Sequence, residues 1–423
     1  MSKIAFPYGK ETLSYDFPDD RLLGVLESEL EHYAPEAGQA ELVQKALANP
    51  IGTPKLSVIA EDKKKVIVIC SDHTRPVPSK YIIPYMLAEI RKGSPDADIT
   101  LLIATGFHRA TTKAELENKF GADIVAKEKI VLHDSENSET VYLGKLPSGG
   151  DIIINKLIVE ADLVVSEGFI EPHFFAGFSG GRKSILPGVV SKTTVMYNHN
   201  AEFIDSPYAR TGIVDGNPIH IDMLYAARKA RLDFICNVVI NAKKEVIYAV
   251  AGDCDLAHRV GREFLASKCA VKAKPADIVI STNGGYPLDQ NIYQSVKGMT
   301  AAEATVKKGG VIVMLSYSND GHGGDSFYNT FKAEKDLAKM TKGFLDTPKD
   351  KTIADQWESQ ILARVLMHAK VIYISSQPDE MVKDFQMIPA HSLDEAIQLA
   401  EKLVGNPKAT FTAIPDGIAV MVV

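Results

Sequence analysis

The feature that most constrains this chain is a repeated grammar: a short β-branched run, a polar or glycine-rich loop, then a helical pattern. "KKVIVIC" (64–70) runs into "SDHTRPVP", "DITLLIA" (98–104) into "TGFHRATT", and "ADLVVSE" (161–167) into "GFIEPHFFAGFSGGRKS". Runs that are apolar throughout, rather than alternating, are buried on both faces, and strands separated by helices pair in parallel. The grammar restarts near Pro275, with "ADIVIST" (276–282), a helical stretch over about 290–308, "GGVIVMLSYS" (309–318), "AKVIYISS" (369–376) and the helix "SLDEAIQLAEKLVG" (392–405). Thr112 with Glu115 spells a capping box, and Gly121 stops that helix. The expectation is an α/β protein: two α/β domains with largely parallel sheets and an active-site cleft between them. Residues 1–272 form the first and 273–423 the second, divided after the helical stretch 255–271.

Composition excludes several function classes. The chain has 423 residues, enough for two or three cores, and a formal charge of −7. No basic excess points to nucleic acid, and no apolar run approaches the length of a membrane span. The N-terminus "MSKIAFPYGKETLSYDF" lacks the apolar core of a signal peptide. Cys70, Cys236, Cys254 and Cys269 form no C-x-x-C pair, which suits buried thiols in a reducing cytoplasm. A cytoplasmic location is therefore expected.

In open parallel sheets, ligands sit outside the carboxyl ends of the strands. The unusual residues lie in those loops. In "SDHTRP", Asp72 and Arg75 follow a strand directly, either as a helix cap and salt bridge or as partners for a ribose and an anion. "TGFHRATT" places His108 after a second strand. "EPHFF" places His173 after a third, among aromatic rings that favour its neutral form. Two histidines on two loops suit a reaction that runs from either face of a carbon. "GFSGGRKS" is not a P-loop, because Arg182 stands between Gly181 and Lys183. It reads either as a flexible turn or as backbone amides around a phosphate, with Lys183 in a positive environment able to act as a nucleophile. His199, in "NHN", has no second ligand at metal-site spacing, so a metal there would take its other donors from a non-protein group. In the second domain, Tyr293, Gln294 and Lys297 start a helix. Gln294 and Lys297 share a face, and they meet either solvent or a substrate carboxylate. Trp357 is the only tryptophan and is placed with that helix.

Taken in order, "SDHTRPVP", "TGFHRATT", "EPHFFAGFSGGRKS", "NHN" and "YQSVKG" resemble the lactate racemase family over the full length of the chain. The resemblance implies an isomerase and a cofactor: nickel held in a pyridinium-3,5-bisthiocarboxylate mononucleotide, a pincer nucleotide joined to the protein as a thioamide. Lys183 would form that thioamide and His199 would ligate nickel. Asp72, His73, Thr74 and Arg75 would seat the cofactor. His108 and His173 would be the paired acid/bases, one for each enantiomer's hydroxyl. Arg75, Tyr293, Gln294 and Lys297 would hold the substrate. The C2 hydrogen of lactate would leave as hydride, with pyruvate as the transient product, which avoids a carbanion beside a carboxylate. Other proteins would have to make the cofactor. Three alternatives stand beside this reading: another 2-hydroxy acid as substrate, a metal- or nucleotide-dependent hydrolase or lyase, and a non-catalytic cofactor carrier.

Overall fold

The computed structural model describes Met1–Val423, the side chain of Glu31 excepted. Two six-stranded sheets organise the chain. Their strands, in chain order, are β1 (Leu22–Val25), β2 (Lys65–Ser71), β3 (Asp98–Ala104), β4 (Lys129–Leu132), β5 (Leu163–Phe169), β6 (Leu232–Ile240), β7 (Val246–Gly252), β8 (Ala276–Thr282), β9 (Val306–Leu315), β10 (Lys370–Ile374), β11 (Ile388–Ala390) and β12 (Phe411–Ile414). The apolar runs are therefore strands, as the grammar requires. Seven helices matter below: α1 (Lys113–Phe120), α2 (Lys192–Asn198), α3 (Pro218–Lys229), α4 (Leu256–Cys269), α5 (Ile292–Glu303), α6 (Gln356–His368) and α7 (Leu393–Val404).

One compact unit comprises Leu30–His199 and Ser206–Ser267. Its strand order is β7-β6-β5-β2-β3-β4, and every pairing is parallel except β6 with β7. The chain passes from β2 outward to β4, then returns to place β5 on the other side of β2. That reversal makes a crevice at the carboxyl ends of β2 and β5. A core of Val66, Val68, Leu101, Ile103, Val165 and Phe234 fills one face of this sheet against Met86 and Ile90. The capping box is present: the Glu115 amide donates to Thr112 Oγ1 at 3.3 Å, and the Thr112 amide to Glu115 Oε2 at 2.8 Å.

The other unit comprises Met1–Glu29, Asn200–Asp205 and Lys268–Val423. Its sheet is fully parallel, in the order β11-β10-β9-β8-β12-β1, with a second reversal between β8 and β12. This departs from the 1–272 and 273–423 division. The reason is long-range pairing: β1 adds to β12, and Phe17 of the hairpin before it meets Phe411 edge-on at 5.4 Å in one core. The boundary at 268 lies close to the expected one. The helix expected over about 290–308 ends at Glu303, because Val306 already belongs to β9. All four cysteines are buried and none forms a disulfide, and burial pushes the Cys254 and Cys269 thiols up to about 12. Among the described residues, no helix is long and apolar enough to cross a membrane.

Candidate active site

The loops after β2, β3 and β5 carry the expected residues of the first unit, at adjacent strand ends. After β2 the chain turns so that Asp72 is buried and its carboxylate is fully engaged. Asp72 Oδ2 accepts from His108 Nδ1 at 2.6 Å. Asp72 Oδ1 accepts from the Thr74 amide at 3.1 Å and from Thr74 Oγ1 at 2.7 Å. Burial alone would raise the Asp72 pKa, but the His108 and Thr74 hydrogen bonds and the Arg75 charge outweigh it and hold it low. With the proton of His108 fixed on Nδ1, its Nε2 is the basic atom. His108 is 38% exposed, so that atom can reach a ligand. His73 turns instead to Thr111 Oγ1 at 3.0 Å, and Arg75 is exposed. The loop is held from α1 by the buried Lys119, which donates to the Arg75 and Val77 carbonyls at 3.0 and 3.4 Å.

In the glycine-rich loop after β5, several amides are already committed within the protein. The Ser179 amide donates to Glu171 O at 2.9 Å, Gly181 to Asn237 Oδ1 at 2.7 Å, and Lys183 to Gly180 O at 3.2 Å. The glycines serve close packing. A Cβ on Gly180, at φ +79°, would lie 2.7 Å from the Phe169 carbonyl, and one on Gly181 2.8 Å from the His258 ring. Arg182 is not a neighbour for Lys183. Its guanidinium turns inward, wholly buried, and donates to Ala176 O at 2.7 Å and Gly180 O at 3.3 Å. Burial, then the like charge of Arg262, lowers its pKa to about 9. Arg182 staples the loop, and Lys183 is left facing the other way, toward His173.

His173, Lys183 and His199 gather around the Phe175 ring. Ring centroids lie 4.5 Å apart for His173 and Phe175, and 5.2 Å for Phe175 and His199. Lys183 Nζ lies 5.7 Å from the same centroid and 3.0 Å from His173 Nε2. The Ala176 amide donates to His173 Nδ1 at 3.3 Å, and the His173 Nε2 edge faces the lysine. His199 is the C-terminal cap of α2, whose N-terminal cap is Ser191, and its Nδ1 bonds to the Val195 carbonyl at 3.1 Å. A carbonyl only accepts, so Nδ1 carries the proton and Nε2 the lone pair. Burial, then the charge of Lys183, lowers the His199 pKa to about 3. A neutral imidazole with its other nitrogen tied to a backbone carbonyl is the form that ligates a metal. Among the described residues, no group of three or more His, Cys, Asp or Glu could hold a metal. The donor set thus fits a metal that brings its other donors with it.

In the other unit, α5 starts at Asn291, whose side chain caps the Gln294 amide at 2.9 Å. Lys297 Nζ donates to Gln294 Oε1 at 2.8 Å, which places the two on one face. The Tyr293 hydroxyl donates to Asp355 Oδ1 and accepts from Trp357 Nε1, both at 3.2 Å. The structure therefore joins Tyr293 to Trp357.

These motifs are matched by two family models, the lactate racemase N-terminal domain over residues 8–212 and the lactate racemase C-terminal domain over 271–422. Lactate racemase of Thermoanaerobacterium thermosaccharolyticum is 54% identical over 424 residues, covering 100% of this chain and 99% of that protein. The chain belongs to the lactate racemase family. It is therefore an isomerase. Lactate racemase of Lactiplantibacillus plantarum is 51% identical, with both chains covered completely. The fold matches the lactate racemase apoprotein structure from T. thermosaccharolyticum with a TM-score of 0.96 at 53% identity over the whole of both chains. A Thermotoga maritima protein, 19% identical with a TM-score of 0.65 over 91% of this chain and 99% of its own, shares the fold alone.

Sequence reasoning passed over several residues that build this site. Lys119 and Arg182 act as staples, and nothing local marks them, because their acceptors are backbone carbonyls. Glu167 accepts from the Ser71 amide and hydroxyl at 2.8 and 2.7 Å and anchors the end of β2. An acidic residue inside an otherwise apolar strand was the available signal. Asp355 accepts from the Tyr293 hydroxyl and was visible only as a neighbour of Trp357.

Proposed function

We propose that this chain interconverts D- and L-lactate, with His108 and His173 as the two acid/bases. The observation that carries the reading is the Asp72–His108 pair. A buried carboxylate fixes the imidazole tautomer and stabilises the imidazolium that forms when Nε2 takes a proton. One histidine serves one face of the substrate carbon. His173, on the loop after a different strand, serves the other.

Lys183 and His199 would hold the nickel pincer nucleotide, Lys183 through its amine and His199 through Nε2, with Asp72, His73, Thr74 and Arg75 seating the nucleotide. When bound, that group supplies a ring able to accept and return the C2 hydrogen with its electron pair. The chain's own part is proton work and orientation. His108 Nε2 takes the hydroxyl proton of one enantiomer and returns it. His173 does the same for the other, while the Phe174 and Phe175 rings exclude water from it. Arg75, Tyr293, Gln294 and Lys297 would orient the carboxylate and oxygen atoms. Partner proteins that assemble the cofactor belong to this reading, and a cytoplasmic site suits it.

The test is D-lactate conversion in deuterated water, with protein confirmed by mass and metal analysis to carry the cofactor. Racemised lactate keeping protium at C2 supports the reading whole. Deuterium at C2 keeps the activity but discards the electron-pair transfer. No conversion by loaded protein discards lactate, and a panel of 2-hydroxy acids follows.

A further inference from the structure

The first turn and a half of α6 is unusual in its unmet hydrogen bonding. Both carboxyl oxygens of Glu358, Gln356 Nε2, Ser359 Oγ and Gln360 Oε1 are buried with no partner. Glu358 itself is 1% exposed. A carboxylate so placed, with no hydrogen bond, would be costly, whereas a carboxylic acid carries no charge to solvate. Two charged groups act on it: Lys297 of α5 attracts, and Asp355, the residue before α6, repels. The Tyr293 hydroxyl of α5 is its titratable neighbour, itself raised first by burial and then by Glu358. No other charged group acts on Glu358 among the described residues.

We propose that Glu358 is a positioning residue that sets the charge Lys297 offers to the substrate carboxylate. The inference rests on the reading that α5 takes that carboxylate. Burial raises the Glu358 pKa well above the ordinary carboxylate range, more than Lys297 lowers it. Below that raised pKa the side chain keeps its proton and does not offset the Lys297 charge. As pH rises through it, Glu358 ionises and neutralises Lys297. A bound anion opposes that ionisation, so by linkage its own affinity falls on the alkaline side.

The experiment measures KM and kcat for lactate against pH with cofactor-loaded wild type, Glu358→Gln, Glu358→Met and Lys297→Met. In wild type KM should rise about tenfold across the alkaline limb, the factor for a one-unit pKa change on binding. Both Glu358 variants should hold the low KM across that limb, with kcat nearly unchanged. An alkaline rise that persists in both Glu358 variants, with KM raised throughout in Lys297→Met, overturns this inference alone. An unchanged KM in Lys297→Met overturns the α5 reading and the inference with it.

Discussion

At the carboxyl edge of β2 and β3 the buried carboxylate of Asp72 is fully hydrogen-bonded, whereas in the first turns of α6 the buried carboxyl of Glu358 has no hydrogen bond. Asp72, Thr74 and His108 form a closed set, and the Arg182 guanidinium donates to two loop carbonyls, with only its Nε unmet. Glu358, Ser359 and Gln360 keep buried atoms without partners. The difference follows from the work each region is given. Proton transfer needs one tautomer and one orientation before the substrate arrives, so those bonds are made in advance. Holding an anion needs surplus positive charge, so a carboxylate near Lys297 is useful only if it stays neutral.

The comparison can be broken at several points. The largest effect is expected from Lys183→Ala: intact mass should show no cofactor adduct, and an adduct surviving the substitution would remove Lys183 as the tether. Next, His108→Ala and His173→Ala should each lower kcat by about 10²–10⁴-fold while bound nickel, measured by metal analysis, is retained. Asp72→Asn should lose ~10²-fold or more, because an amide can donate to Nδ1 and select the wrong tautomer. If Asp72→Asn stays fully active, the prearranged bond is irrelevant to proton transfer.

A smaller effect concerns stability. His199 and His220 are both lowered from 6.5 to about 3, chiefly by burial, and His258 is lowered the same way. Native protein keeps these rings neutral while the unfolded chain protonates them near 6.5. Stability from them is therefore complete above pH 6.5 and is lost as pH falls toward about 3. Urea midpoints measured down that range should fall steeply, and His220→Gln should flatten the slope by about one proton. An unchanged slope would mean that His220 is already charged in the fold. The smallest effect is expected from Tyr293→Phe, which parts Trp357 from Asp355 and should raise the KM for lactate about three- to tenfold, measured at fixed pH.

Much of the fold was legible because its signals are local. Apolar runs, the Thr112–Glu115 box and the loops at strand ends depend on residues within a few positions of each other, and the structure places them as read. His108 and His173 stood out as loop histidines for the same reason. The residues named in the first compact unit came from motifs whose order along the chain is distinctive. The staples were not legible. Lys119 reaches carbonyls 42 and 44 positions away, and a basic residue in a helix carries no mark of that.

Sequence alone thus determined the α/β class, the strand-end loops and the residue types available for proton transfer, because periodicity and turn chemistry act over a few residues. Tertiary structure decided which of them meet. Strand order brings Asp72 to His108 across 36 positions, turns Arg182 inward so that Lys183 meets His173, adds β1 to the far sheet, and buries Glu358 within reach of the Lys297 charge. Those outcomes depend on burial and charge summed over the packed chain, which no short window of residues contains.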